Sequence, residues 1–446
     1  MPSPYVSPFQ FNNPVNGNVI QTTDISQFIL PLTNLSSGST LSTLAPGILP
    51  LTEGLVNNNG ALAYTNGILA TGGATTSVGN GPQASAFDPT GNYFFVASQT
   101  AATLQAYKVS ASGGLTALGS ALTTGTTPFA LAVDPSGRYL YLVNSGSDSL
   151  QAYAISTTGL AAIGSALTTG TAPQGVACDP SGRYVYVTNS TANTIQAYSI
   201  DSTGALTAIG GTVATGTTPW AVACDPSGRY VYLTNSGGTP TIQAYSIGGT
   251  GALTSIGAVA AGTTPLGLAC DPTGRFVYLA NNGSSTLQAY SIGSTGAVTS
   301  IGTVATGANP YKVVCSPGGR FVYAITTGTT NNLQAYTIDA TTGALTALGS
   351  AITVSGTTPS PRTLSCDSTG RFVFVGSHTA NLVQIFPVGL VTMQWPSQLV
   401  PSGGASNPTL GTNFIGAAGG PATAAQNSWQ QVTLGDGTTG WIPVWK

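Results

Sequence analysis

The stretch CDPSGRYVYVTNSTANTIQAY, Cys178–Tyr198, recurs almost unchanged from Cys224 and Cys270, and more loosely from Phe87, Val133, Cys315 and Cys366. Successive copies start 45, 46 or 51 residues apart. A repeat of this length signals a propeller or a solenoid, in which neighbouring units share a continuous core. One unit reads as four strands. PWAVACD (219–225) is short and apolar, and DPSG (225–228) is a tight turn in which proline fixes one φ and glycine supplies a left-handed residue. RYVYLTN (229–235) and TIQAYSI (241–247) carry the aromatic and β-branched residues of strands, and ALTSIGAVAAG (252–262) adds a fourth. No segment shows a helical apolar period. Four antiparallel strands per unit make a propeller blade.

The repeat also indicates how the ring closes. The seventh copy, 366–386, lacks its fourth strand, whereas GALAYTNGILATGG (60–73), ahead of the first copy, matches GALTAIGGTVATGT (204–217). An N-terminal strand that completes the last blade removes the open sheet edge. The expected fold is therefore all-β, a seven-bladed β-propeller over 59–390, with extended arms at 1–58 and 391–446. Tyr186-Val187-Thr188-Asn189, preceded by Asp179-Pro180-Ser181-Gly182-Arg183, resembles the YVTN-repeat and lactonase-like seven-bladed propellers over roughly 60–390. That resemblance implies the fold; such propellers include enzymes, surface-layer proteins and binding proteins.

Charged residues make up 5% of the 446 residues, against a usual share of about 25%. The net charge of −2 offers no electrostatic attraction for nucleic acid or anionic lipid. No apolar run reaches the ~18 residues of a membrane-spanning helix. MPSPYVSPFQFNNP (1–14) lacks the basic and apolar regions of a signal peptide. The charges that exist are largely absorbed by the turn. Asp88, Asp134, Asp179, Asp225, Asp271 and Asp367 open it, and Arg138, Arg183, Arg229, Arg275, Arg320 and Arg371 follow its glycine. Cys178, Cys224, Cys270, Cys315 and Cys366 share one repeat position, which Phe87 and Val133 fill elsewhere, so five free, buried thiols are expected. Equivalent strands of packed sheets lie ~10 Å apart, too far for a disulfide. With no Cys-x-x-Cys pair and one histidine, neither a metal nor a cofactor is expected. The recurring amides Gln105, Gln151, Gln196, Gln243, Gln288, Gln334 and Gln384 are expected to satisfy backbone groups between blades.

Copying breaks down at the residue after the proline that opens each unit: Gln83, Phe129, Gln174, Trp220, Leu266, Tyr311 and Arg362. These seven positions should ring one mouth of the central channel, with Lys312 and His378 on the same face. Aromatic platforms beside amides suit a neutral glycan, since sugar faces stack while hydroxyls hydrogen-bond. The competing reading is that the large side chains simply plug the channel. His378 itself reads as a solvated loop residue.

The ends read as adhesive arms. SWQQVTLGDGTTGWIPVWK (428–446) has two strand-like runs around a glycine-rich turn and is similar to terminal pieces of bacteriophage tail-fibre and tailspike proteins, and more faintly to a bacterial SH3 strand pair. With so few paired titratable groups for acid–base work, the leading expectation is a non-enzymatic bacteriophage virion protein. It would be a multicopy head or tail component, docked on other virion proteins through 1–58 and 391–446 and binding host surface carbohydrate. It would contact neither nucleic acid nor the membrane interior. The alternatives are a bacterial cell-surface adhesin or surface-layer propeller, and a lactonase-like enzyme.

Overall fold

The computed structural model describes residues 62–393, apart from residue 72 and the stretches 329–330 and 357–359, together with strands at 10–12, 19–21, 427–433 and 439–445. The chain divides into two units: Leu44–Asn58 with Leu62–Thr392, and Met1–Thr43 with Asn59–Ala61 and Met393–Lys446. The second unit holds two antiparallel strand pairs, Gln10–Asn12 with Val19–Gln21 and Asn427–Thr433 with Thr439–Trp445. The latter pair is the hairpin expected from the closing sequence. Most of the expected anchoring arms, 1–58 and 391–446, lies outside the described residues.

The first unit is the propeller. Six four-stranded antiparallel sheets follow one another along the chain, from Pro82–Thr123 to Pro310–Thr353. In blade four, Pro219–Cys224 is innermost, followed outward by Tyr230–Asn235, Thr241–Ile247 and Leu253–Ala260. Blade seven takes Pro361–Cys366, Phe372–Ser377 and Leu382–Met393 from the C-terminal side of the repeat, and Leu62–Leu69 and Thr75–Ser77 from the N-terminal side. The closing register pairs Leu382 with Ser77, Val383 with Thr76 and Gln384 with Thr75. The inner strand of blade seven lies against that of blade one, which closes the ring.

Burial explains the strand composition. Every residue of the second strand Tyr184–Asn189 is buried, because that strand has a blade on each face. The outer strand Leu206–Ala214 exposes six of its nine residues on the rim, which suits its Thr, Gly and Ala content. The charged turn is a local device. In Asp179-Pro180-Ser181-Gly182, Oδ1 of Asp179 accepts the backbone N–H of Arg183 (2.8 Å) and Tyr184 (2.7 Å), and Oδ2 accepts the Ser181 N–H and hydroxyl. The Arg183 guanidinium lies 4.9 Å from the centre of the Tyr184 ring, a cation–π contact repeated in every blade whose turn carries arginine.

Successive blades interlock through the same aromatic residue. A side chain added at Gly204, Gly251, Gly296 or Gly343 would meet the ring of Tyr139, Tyr184, Tyr230 or Phe276 of the preceding blade at 2.3 to 2.4 Å. Tyr184 Oη also donates to the Gly249 carbonyl at 2.8 Å, and Tyr186 Oη donates to Gly251. The lock continues through the closure: Phe321 of blade six meets Gly67 of the N-terminal strand, and Phe372 of blade seven meets Gly113 of blade one.

Two expectations need correction. The recurrent glutamines do not all act between blades. Gln105, Gln151, Gln196 and Gln334 donate to carbonyls of their own third and fourth strands, filling the bulge where those strands slip register. Gln243, Gln288 and Gln384 instead accept from the loop arriving from the preceding blade, at Gly216, Gly262 and Ser355. None of the five thiols forms a disulfide, yet only Cys315 is fully buried, since the inner strand borders the channel and has no strand on its other side. Burial, reinforced by neighbouring aspartates, pushes the thiols of Cys178, Cys224, Cys270 and Cys315 up, so they stay protonated and unreactive at neutral pH.

Candidate functional site: the channel mouth between blades seven and one

Each inner strand begins at a buried proline, Pro82, Pro128, Pro173, Pro219, Pro265, Pro310 or Pro361. In six of the entering loops the residue just before the proline has positive φ: Gly81, Thr127, Ala172, Thr218, Thr264 and Asn309. Such backbone is costly for a residue with a side chain, at about 1 kcal/mol or more. It recurs because the loop must turn sharply to enter the channel wall.

The residues that follow these prolines converge. Phe129 of blade two and Trp220 of blade four meet edge to face, with ring centres 5.4 Å apart. Gln83 of blade one donates through Nε2 to Tyr311 Oη of blade six at 3.0 Å. Arg362 of blade seven places its guanidinium 4.5 Å from the Tyr311 ring centre. Leu266 and Tyr311 share one buried cluster, and Trp220 packs against it. Contacts that skip a blade require side chains to reach past the intervening strand, so these residues fill the mouth. Gln83, Leu266 and Tyr311 are buried, whereas Phe129, Gln174, Trp220 and Arg362 remain half-buried. Of the aromatic side chains, only Phe129 and Trp220 therefore keep accessible surface.

His378 is not the solvated loop residue expected from sequence. It follows the second strand of blade seven, is half-buried, and donates its backbone N–H to the Ser360 carbonyl at 2.8 Å. Its Nε2 lies 3.2 Å from Oε1 of Gln99 in blade one. Facing an acceptor, Nε2 carries the proton in this arrangement and Nδ1 keeps the lone pair. Burial, and next the Arg362 charge, hold the imidazole below its ordinary pKa of 6.5. The histidine is thus a neutral base at neutral pH. Asn381, itself at positive φ, staples the two blades by accepting the Gly81 N–H at 2.8 Å. Gly81 must be glycine: its φ is +71°, and a side chain there would meet Thr100 Oγ1 at 2.5 Å and His378 Nε2 at 3.0 Å.

Sequence reading found Arg362 and His378 but neither the His378–Gln99 contact nor the Gly81–Asn381 bond beside it, each of which joins residues about 280 to 300 apart in the chain. One signal was available. The longest interval between copies, 51 residues, ends at Cys366 and so enlarges the approach to blade seven. Lys312, the residue after Tyr311, lines an internal cavity of about 100 Å³ framed by all seven inner strands. No group of three or more His, Cys, Asp or Glu side chains stands together among the described residues.

Seven blades around a channel whose mouth is filled by the residues after the strand-opening prolines define a seven-bladed β-propeller. The chain belongs to the lactonase family of seven-bladed β-propellers, whose description matches residues 65–223, 211–295 and 290–406. Among solved structures it is similar to a putative 6-phosphogluconolactonase from Bacteroides uniformis, at 19% identity, covering 61% of this chain and 85% of that one with a TM-score of 0.56. It is also similar to the periplasmic gluconolactonase of Pseudomonas aeruginosa (18%, 72% and 96%, TM-score 0.58). A third likeness is to hydrazine synthase of Kuenenia stuttgartiensis (17%, 72% and 100%, TM-score 0.59). At these identities the likeness concerns the fold. No curated protein sequence matches the chain.

The family membership overturns the expectation of a non-enzymatic protein, and no virion protein stands among these likenesses. The expectation failed because it counted charges along the chain. A count along the chain does not show which of the few titratable groups the fold brings near enough to act on one another, as it does Arg362 and His378.

Proposed function

We propose that the chain hydrolyses a lactone, a cyclic ester of a polyhydroxylated acid. The observation that carries this reading is the lactonase-family match across the propeller. The junction supplies suitable groups. Water attacks the lactone carbonyl carbon while Nδ1 of His378 accepts its proton; the ring C–O bond then breaks, the proton passes to the departing alkoxide, and a hydroxy acid leaves. General-base assistance of this kind contributes about 10² to 10⁴ in rate. The Arg362 guanidinium, held in place on Tyr311, faces the charge that builds on the carbonyl oxygen. Apart from Arg362 the mouth residues are uncharged, and the amides of Gln83 and Gln174 with the Tyr311 hydroxyl suit a sugar-derived ring. The gluconolactonase names of two similar structures support an aldonolactone as the substrate class.

The test is titration of acid release from δ-gluconolactone at constant pH. The expected result is a rate above spontaneous hydrolysis that scales with protein concentration, and a loss of roughly tenfold to a thousandfold in kcat/KM for Arg362→Gln. A rate equal to the spontaneous one, across gluconolactone and related five- and six-membered lactones, would remove the proposal.

A further inference from the structure

Beneath the filled mouth, the inner strands of all seven blades frame the cavity of about 100 Å³. A volume of that size holds several water molecules. More of its exposed wall is polar than apolar, and its lining includes the polar side chains of Ser85, Gln174, Lys312 and Thr363. Two of these already have partners. Ser85 Oγ shares a hydrogen bond with Ser365 Oγ at 2.9 Å, and Thr363 Oγ1 accepts the Gly376 N–H at 2.9 Å. The other two stand out. Gln174 Oε1 is buried without a hydrogen-bond partner. Lys312 meets no carboxylate: burial alone acts on its basicity, and no charged neighbour contributes.

Lys312 is half-buried, and a partly desolvated cation without a counter-charge is a costly arrangement. The corresponding residue in the other blades is Ala84, Ala130, Gly175, Ala221, Gly267 or Thr363, so packing does not demand a long side chain there. From the cavity and the unpaired ammonium within it, we infer that the channel beneath the mouth is a binding site for one small monovalent anion, chloride or a carboxylate of acetate size. Lys312 donates to the anion. A water in its shell donates to Gln174 Oε1 and so satisfies that orphan acceptor as well. The site is separate from the proposed lactone chemistry, which uses Arg362 and His378.

Thermal unfolding is measured with chloride or acetate raised from 10 to 200 mM, ionic strength being held constant with a bulky buffer anion such as HEPES. The wild-type protein should gain about 2 °C with the small anions, as expected for a ligand that binds only the folded state. Lys312→Met, an uncharged and unbranched side chain one atom shorter, should stay folded and lose the response. Arg362→Gln should retain it. A response to chloride but not acetate identifies an inorganic ion as the occupant, and equal responses identify the shared anion chemistry. No response in the wild type, an unchanged response in Lys312→Met, or a response abolished by Arg362→Gln would each overturn the inference.

Discussion

Replacing Gly251 by valine should destabilise the propeller by about 4 kcal/mol, a large part of the 5–15 kcal/mol that holds an ordinary domain together. The backbone at Gly251 has a φ of +86°, which a β-branched residue adopts only under strain of about 1–3 kcal/mol. The new Cβ would lie 2.4 Å from Cδ1 of Tyr184, whose ring is almost fully buried. The ring must therefore move, which adds an overpacking cost of about 1–3 kcal/mol. It would also disturb the 2.8 Å bond from Tyr184 Oη to Gly249, worth about 1 kcal/mol. Gly249, two residues away, is the control: a side chain there meets nothing within 4 Å and its φ lies outside the positive range. Gly249→Ala should be neutral or stabilising by a few tenths of a kcal/mol. Urea unfolding of the two variants separates the account from a general intolerance of the hairpin. Equal midpoints would show that the interlock contributes little.

The second large effect concerns the closure. A chain that begins at Val78 loses both N-terminal strands that pair with Leu382–Met393 and leaves it paired only to Phe372–Ser377. The loss includes the hydrogen bonds from Ala70 N–H to the Pro387 carbonyl (2.8 Å) and from Ile385 N–H to the Ala74 carbonyl (2.9 Å). It also removes Leu69 from the cluster of Phe321, Phe386 and Val388, and Gly67 from beneath Phe321. The third strand of blade seven then presents unpaired N–H and C=O groups along an apolar edge, a template for pairing with another chain. The shortened protein should elute as aggregates in size-exclusion chromatography and lose most of its cooperative unfolding transition. A monomer with the wild-type transition would mean that the ring closes without its N-terminal strand.

The fold was legible because the repeat prints it seven times. Asp179-Pro180-Ser181-Gly182 announces a turn, Tyr184–Asn189 announces a strand buried on both faces, and the likeness of 60–73 to 204–217 announces the closure. The site was legible only in outline. The break in the repeat at Gln83, Phe129, Gln174, Trp220, Leu266, Tyr311 and Arg362 located the mouth, but not which residues touch across it. His378 was misread because its partners belong to blade one, and a ring brings its first and last blades together without leaving a local trace in sequence. The glutamines were half misread for a related reason. One residue type at one repeat position serves a bulge in some blades and an incoming loop in others, according to the outer strand's register.

On the proposed reading, the junction of blades seven and one performs base-assisted hydrolysis through His378. Since His378 is the chain's single histidine, its imidazole Hε1 gives one downfield resonance that can be titrated without ambiguity. A base whose folded pKa lies below 6.5 is neutral, hence competent, at every pH above that folded value, and rate is lost as pH falls through it. The decisive measurement is kcat/KM for δ-gluconolactone against pH, set beside that titration. The prediction is an acid limb below pH 6.5 that coincides with the imidazole titration, moves upward in Arg362→Gln as the neighbouring positive charge is removed, and disappears in His378→Gln. A profile that titrates elsewhere, or that His378→Gln leaves intact, would contradict the claim and move the chemistry away from this junction.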